Sequence, residues 1–226
     1  MPCVLIDTSG STILLGVCDE EGGLLAALHE NHTPANAAAL KELTLQALNQ
    51  AGVELQEVRC GGVGCGPGSF IGTRTGVAFA NGLAAGIRIP LVGVDSLHAA
   101  VADTTFDAEH AVVLRSARRK SYFLGIFRQH AGVVDSAAET AELAAECLPE
   151  LRERLALLAG EGGLFVVTDS LSAYETLVKE DLPPRAAIVL RENVVAFGGL
   201  AGLTVRGLRE RREQPWVEAK YLRPPV

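Results

Sequence analysis

The chain reads as an α/β protein made of two consecutive domains, each running β-β-β-α-β-α-β-α. Three observations predict this. Short apolar runs rich in β-formers alternate with segments of helical period, the same element order is met twice, and the pattern resets near residues 103–110. Hydrophobic residues make up 48% and charged residues 21% of 226 positions, as in an ordinary globular protein. With 24 glycines and only 5% aromatics, the core is built from small side chains that let helices and sheets approach closely.

The first half opens with a meander. Residues 3–8 (CVLIDT) form a strand, Ser9-Gly10-Ser11 turns into TILLGVCD, and Glu21-Gly22-Gly23 turns into LLAALHE. Asn36 to Ala51 is a helix, with Leu40, Leu43, Ala47, Leu48 and Ala51 on one face and Gly52 as its stop. Residues 60–65 (CGGVGC) read as a buried strand. GPGSF then turns into a helix that Ser69 caps and that runs to about Gly86. Pro90 leads the strand LVGV, and Asp95 or Ser96 caps a short helix.

The second half repeats the order. AVVLRS, SYFLGIF and GVV read as strands, Glu139–Leu158 as a helix broken near Pro149, and LFVVTD as a strand. Ser172–Glu180 reads as a helix, AIVL as a strand and Glu192–Glu213 as a long helix. This doubled order is that of two tandem actin-like, ribonuclease-H-like (ASKHA) domains, 1–104 and 105–226. The last helix and tail are free to pack back on the first.

Charge and cysteine usage narrow the function classes. A net charge of −7, from 20 basic and 27 acidic side chains, argues against autonomous nucleic-acid binding, which needs a basic footprint. Two basic clusters, Arg115/Arg118/Arg119/Lys120 and Arg206/Arg209/Arg211/Arg212, read as solvated faces. The cysteines are Cys3, Cys18, Cys60, Cys65 and Cys147. Their number is odd and none is spaced C-x-x-C, so they read as reduced buried thiols rather than a disulfide framework or zinc site. MPCVLID reads as a first strand and not a signal peptide, and no apolar run is long enough to span a membrane, so a cytoplasmic protein is expected. The histidines 29, 32, 98, 110 and 130 show no metal-ligand spacing and read as solvated or capping residues.

The strongest local signal runs from Gly66 to Gly76, GPGSFIGTRTG. Its glycines permit positive φ and close approach, and the helix it opens offers N–H groups to an anion. It lacks the G-K-[ST] ending of a Walker A loop. A tight strand-to-helix turn with close packing is the competing reading. Asp7-Thr8 at the end of the first strand, with Gly66, Gly68 and Ser69, forms a candidate vestigial nucleotide or anion site, although Asp and Ser are also ordinary turn residues. Within the helix, Gly72, Gly76, Ala80 and Ala84 recur every four residues. Interior glycine costs a helix about 1 kcal/mol relative to alanine, so the stripe is expected to gain by close approach, to its own sheet or to a helix of another chain.

At these residues the chain resembles the TsaB (YeaZ-type) family, whose signature G-P-G-S-F-T-G-x-R-x-G residues 66–76 match except at Ile71. The likeness extends to Ile6-Asp7-Thr8-Ser9, to Val94, Ser96 and Leu97, and to Tyr221-Leu222-Arg223, so its anchors span nearly the whole chain. Ser116-Ala117-Arg118 departs from the usual Asp-Ala-Arg. The resemblance implies a non-catalytic paralogue of TsaD, the transferase that places threonylcarbamoyl on the tRNA adenosine beside the anticodon. TsaD holds a metal with an H-x-x-x-H pair, and the corresponding positions here are Ser96 and Ala100. Alanine cannot ligate a metal and serine is a poor ligand beside imidazole. The implied partners are a TsaD-type subunit, a TsaE-type ATPase, or a second copy through the same surface, with tRNA reached only through the complex. No catalytic residue, metal or cofactor is implied beyond weak ATP or ADP binding in the assembled complex. The expected partner surface comprises Leu45, Phe70, Thr73, Gly76, Val77, Ala80 and Ala84. Two other classes compete. One is an autonomous actin-like ATPase or small-molecule kinase using Asp7 and Thr8, against which the second half has no clear glycine-rich phosphate turn. The other is a metallopeptidase, against which the histidine pair is missing.

Overall fold

The computed structural model describes all residues except 32–36, 103, 105, 118–119, 136–138, 179–185, 192–194 and 223–226. Asn36, His32, Arg118, Arg119, Glu180, Glu192 and Arg223, which figure in the sequence reading, lie outside the described residues. The chain divides into two compact units, 1–103 with 195–221, and 104–194 with 222–226.

In the first unit, β1 (Cys3–Asp7), β2 (Thr12–Cys18) and β3 (Leu24–Asn31) form the antiparallel meander. β4 (Cys60–Gly64) and β5 (Leu91–Val94) add in parallel on the other side of β1, giving the order β3-β2-β1-β4-β5. Parallel neighbours need crossover helices. These are α1 (Ala37–Ala51), which joins the meander to β4, and α2 (Phe70–Ile87), which joins β4 to β5. Alternation along β1 sends Val4 and Ile6 into one core with Leu15, Leu40, Leu48, Val77 and Ala80, that is, under α1 and α2. Leu5 and Asp7 point to the opposite face. That face is covered by α3 (Ser96–Ala99) and α6 (Phe197–Arg209), with Gly62 lying under Thr204 and Gly207 under Val92.

In the second unit, β6 (His110–Ser116), β7 (Ser121–His130), β9 (Glu139–Ala144), β10 (Leu164–Thr168) and β11 (Ala186–Leu190) pair as β9-β7-β6-β10-β11, the order of the first sheet. The two-residue β8 (Val133–Val134) also pairs with β7. α4 (Leu148–Gly162) and α5 (Leu171–Val178) supply the crossovers.

The structure differs from the sequence reading in three ways. Glu139–Ala144 is a strand and not the start of a helix, because pairing with β7 overrides the helix-forming composition of ETAELA; α4 then starts at Leu148 with Pro149 in its first turn, where proline is tolerated. The third long strand of the second unit is thus β9, and not GVV. The last helix is shorter than 192–213, and residues 195–221, which the sequence left free to pack on the first domain, group with the first unit. Among the described residues, no helix is long and apolar enough to cross a membrane.

Candidate functional site

The carboxyl ends of β1 and β4 and the start of α3 meet at Asp7. Its side chain is 1% exposed. Oδ1 accepts the Ser9 N–H at 2.7 Å and the Ser9 hydroxyl at 2.5 Å, and Oδ2 accepts the Ser96 hydroxyl at 2.7 Å. Ser96 Oγ in turn accepts the Gly66 N–H at 3.0 Å, and the Ser96 N–H donates to the Gly66 carbonyl at 2.8 Å. One serine thereby locks the aspartate to the loop after β4. Gly64 is required here: a Cβ would stand 1.8 Å from Asp7 Oδ2. Asp95 caps α3 by accepting from Leu97 and His98 N–H groups, so Ser96 is its first residue.

The glycine-rich loop is held as tightly. The peptide between Gly66 and Pro67 is cis and Gly66 sits at φ +89°. Ser69 N–H donates to the Ser9 carbonyl at 2.8 Å, while Ser69 Oγ caps α2 by accepting the Gly72 N–H at 3.2 Å. Thr8 is buried and donates to the Gly72 carbonyl at 2.6 Å, and a Cβ on Gly76 would lie 2.1 Å from Thr8 Oγ1. Asp7, Thr8, Gly66 and Ser69, expected as a nucleotide or anion site, are thus brought together with Gly68 between them. The Asp7 carboxylate and the Thr8 hydroxyl are engaged in internal bonds, and the Ser69 hydroxyl accepts the Gly72 N–H at the exposed start of α2.

The expected partner surface is only partly outward. Thr73, Gly76, Val77, Ala80 and Ala84 are all buried under the chain's own sheet, so the small-residue stripe serves β1 and β4 rather than another molecule. Leu45 is exposed and Phe70 half-buried. The outward face of the helix pair is a shallow groove of about 440 Å³ between α1 and α2, walled by Leu45, Leu55, Phe79, Leu83 and the stem of Lys41, with Gly82 open at its floor. A Cβ on Gly82 would meet nothing within 4 Å.

A strap after α6 covers the remaining flank of α2. Gln214 and Leu91 exchange two backbone hydrogen bonds of 2.7 Å, and the Asn81 amide pairs with both backbone groups of Val217 at 2.9 Å. At the end of the strap, Arg74 donates to the Tyr221 hydroxyl at 2.7 Å and stacks 3.9 Å over the Phe70 ring.

In the second unit, Ser116 ends β6 as Asp7 ends β1, and its N–H donates to Asp169 Oδ1 at 2.6 Å. A carboxylate, Asp169 at the end of β10, thus stands beside residue 116; sequence reasoning passed over it inside LFVVTD. The second basic run is a solvated face, with Arg209, Arg211 and Arg212 exposed, whereas the first is not solvated throughout. Arg115 is fully buried, and Arg206 and Arg212 are both paired with Glu210. His98 and His110 are buried rather than solvated, and neither ring nitrogen of His110 has a hydrogen-bond partner among the described residues.

Two sheets of one strand order, each with crossover helices, define a two-domain actin-like α/β protein. A family model described as TsaD: tRNA N6-adenosine threonylcarbamoyltransferase matches residues 29–169, and the chain belongs to that family. In fold it is of the YeaZ (TsaB) type. A Pseudomonas aeruginosa structure, described as an uncharacterized protein with similarity to peptidase YeaZ, superposes with a TM-score of 0.78 at 23% identity, over 98% of this chain and 99% of that one. The tRNA threonylcarbamoyladenosine biosynthesis protein TsaB of Escherichia coli is 42% identical over 50 residues, 22% of each chain. An uncharacterized protein of Mycobacterium leprae is 34% identical over 126 residues, 54% of this chain and 34% of that protein. The chain spans about a third to about half the length of the mycobacterial relatives it matches.

Proposed function

We propose that this chain is a non-catalytic subunit of the cytoplasmic machinery that makes threonylcarbamoyladenosine in tRNA, and that it acts by binding and supporting a TsaD-type transferase. The observation that carries the reading is the closed knot around Ser96. Where the resemblance places the transferase's metal-binding histidines, this chain has a serine that bridges Asp7 and Gly66 and an alanine at 100, both fully buried. A hydroxyl already donating to one buried group and accepting from another has little left for a cation.

The surface we assign to the partner is the apolar groove between α1 and α2, with Leu45, Phe79 and Leu83 as anchors. A TsaE-type ATPase joins the pair, a second copy of this chain occupies the same groove when the transferase is absent, and tRNA is reached through the complex. Nucleotide binding by this chain alone is weak, since Asp7 and Thr8 are engaged internally.

Gly82→Arg tests the placement, because its side chain enters open space on an exposed helix face and leaves the fold intact. Gel filtration with a TsaD-type subunit yields a mixed oligomer with the parent chain and separate peaks with the variant, and tRNA modification by the reconstituted mixture falls in parallel. A folded Gly82→Arg variant that still binds and supports modification refutes the surface. ATP turnover by the isolated chain refutes the subunit reading in favour of an autonomous actin-like ATPase or kinase.

A further inference from the structure

The cysteines look unrelated along the chain, but the first sheet gathers three of them. Cys3 opens β1. In the ladder it stands opposite Cys18, the last residue of β2, and beside Cys60, the first of β4. Ladder partners share a face, so three sulfurs lie in a row across adjacent strands with Cys3 in the middle. All three are buried. Cys18 and Cys60 thus flank Cys3, whose own thiol reaches the Met1 carbonyl at 3.7 Å, while that of Cys60 donates to the Gly61 carbonyl at 3.5 Å. The two neighbouring thiols lower the Cys3 pKa, and the contact with Cys3 together with burial raises those of Cys18 and Cys60. Paired strand residues have Cα atoms about 4.5–5.5 Å apart, within the ~4.4–6.8 Å that a disulfide spans. Among the described residues, no cluster of His, Cys, Asp or Glu has the geometry to hold a metal ion.

We propose that Cys3, Cys18 and Cys60 form a peroxide-reactive thiol site in which Cys3 attacks the peroxide and then closes a disulfide with Cys18 or Cys60. The Cys3 thiolate attacks one peroxide oxygen and the O–O bond breaks, giving a sulfenic acid and, after proton uptake, one water. The neighbouring sulfur then attacks Cys3, the S–O bond breaks, and a second water leaves as the S–S bond forms. Two electrons pass from the thiol pair to one peroxide. The third thiol stays reduced and is placed to exchange with the new disulfide. A small neutral oxidant suits the site because the sulfurs are shielded from solvent and a glutathione-sized disulfide cannot reach them. The row lies at the opposite end of β1 from Asp7, so this chemistry is independent of the proposed subunit role.

The test is brief treatment of the reduced full chain with a small excess of hydrogen peroxide, followed by thiol counting after denaturation and mapping of crosslinks by mass spectrometry. The five thiols fall to three, with Cys3 in every crosslink. Cys18→Ala directs the crosslink to Cys60, and Cys60→Ala directs it to Cys18. The double variant stops at a Cys3 sulfenic acid that dimedone traps. Cys3→Ala slows loss of the other two thiols at least tenfold. Crosslinks lacking Cys3, unchanged thiol loss in a folded Cys3→Ala variant, or oxidation no faster than global unfolding measured by hydrogen exchange would overturn the proposal. If Cys3→Ala does not fold, the redirection of the crosslink in the two single variants decides the matter.

Discussion

Replacing Ser96 by alanine removes a hydroxyl that satisfies two buried groups at once, the Asp7 carboxylate at 2.7 Å and the Gly66 N–H at 3.0 Å. A hydrogen bond to a charged group contributes about 1.5–3 kcal/mol, and a stranded buried amide costs about 1–3 kcal/mol. Because one small side chain serves both, and neighbouring atoms relax partly into the space, the combined loss comes to about 3 kcal/mol. That is a large share of the ~5–15 kcal/mol that holds a typical domain. Urea unfolding followed by Trp216, the single tryptophan, reports on the first unit, to which the strap belongs. With a slope of about 2 kcal/mol/M, the midpoint should fall by roughly 1.5 M at unchanged slope. A fall below about 0.3 M would show that Asp7 is not tied by Ser96, and would return it to the candidate nucleotide or anion site.

Three further outcomes are expected. Asn81→Ala removes both bonds to Val217, so the neighbouring Trp216 gains freedom; its steady-state fluorescence anisotropy falls and proteolysis within 213–221 accelerates. Gly82→Ala fills no occupied space and removes an interior helix glycine, so it raises stability by about 0.5–1 kcal/mol, read as a higher Tm. Arg154 holds the Glu139 carboxyl below its ordinary value of 4.5, so the pair stabilises above that value and the contribution is lost as pH falls through the lowered one. Both side chains are substantially exposed, so Arg154→Met costs under about 1 kcal/mol at neutral pH, and the difference from the parent vanishes in acid.

Most of the fold is legible along the chain because its signals are local. The meander has glycine turns, α1 has one apolar face, and Ser69 announces the start of α2. β9 was not legible: ETAELA is made of helix formers, and only the presence of β7 alongside makes it a strand. The α2 stripe shows the limit of periodicity. A four-residue spacing says that Gly72, Gly76, Ala80 and Ala84 share a side, but not what lies against it: Thr8, which bonds the Gly72 carbonyl, is 64 residues away. Asp7 was visible as a strand-end acid, whereas its dependence on Ser96 spans 89 residues and leaves no local trace. The thiol row is intermediate. A hairpin register centred on the Ser9–Ser11 turn pairs Cys3 with Cys18, but Cys60 joins only through a parallel crossover.

The placement of α6 has a consequence for how the molecule is made. The face of the first sheet that carries Leu5 and Gly62 is roofed by residues that follow the whole of 104–194 in the chain. On the ribosome, at ~5–20 residues per second, that apolar face waits about ten seconds after its last strand emerges before its cover arrives. A nascent chain halted between the two stages would be a natural client for a holdase, and a fragment ending at residue 103 is expected to aggregate rather than fold.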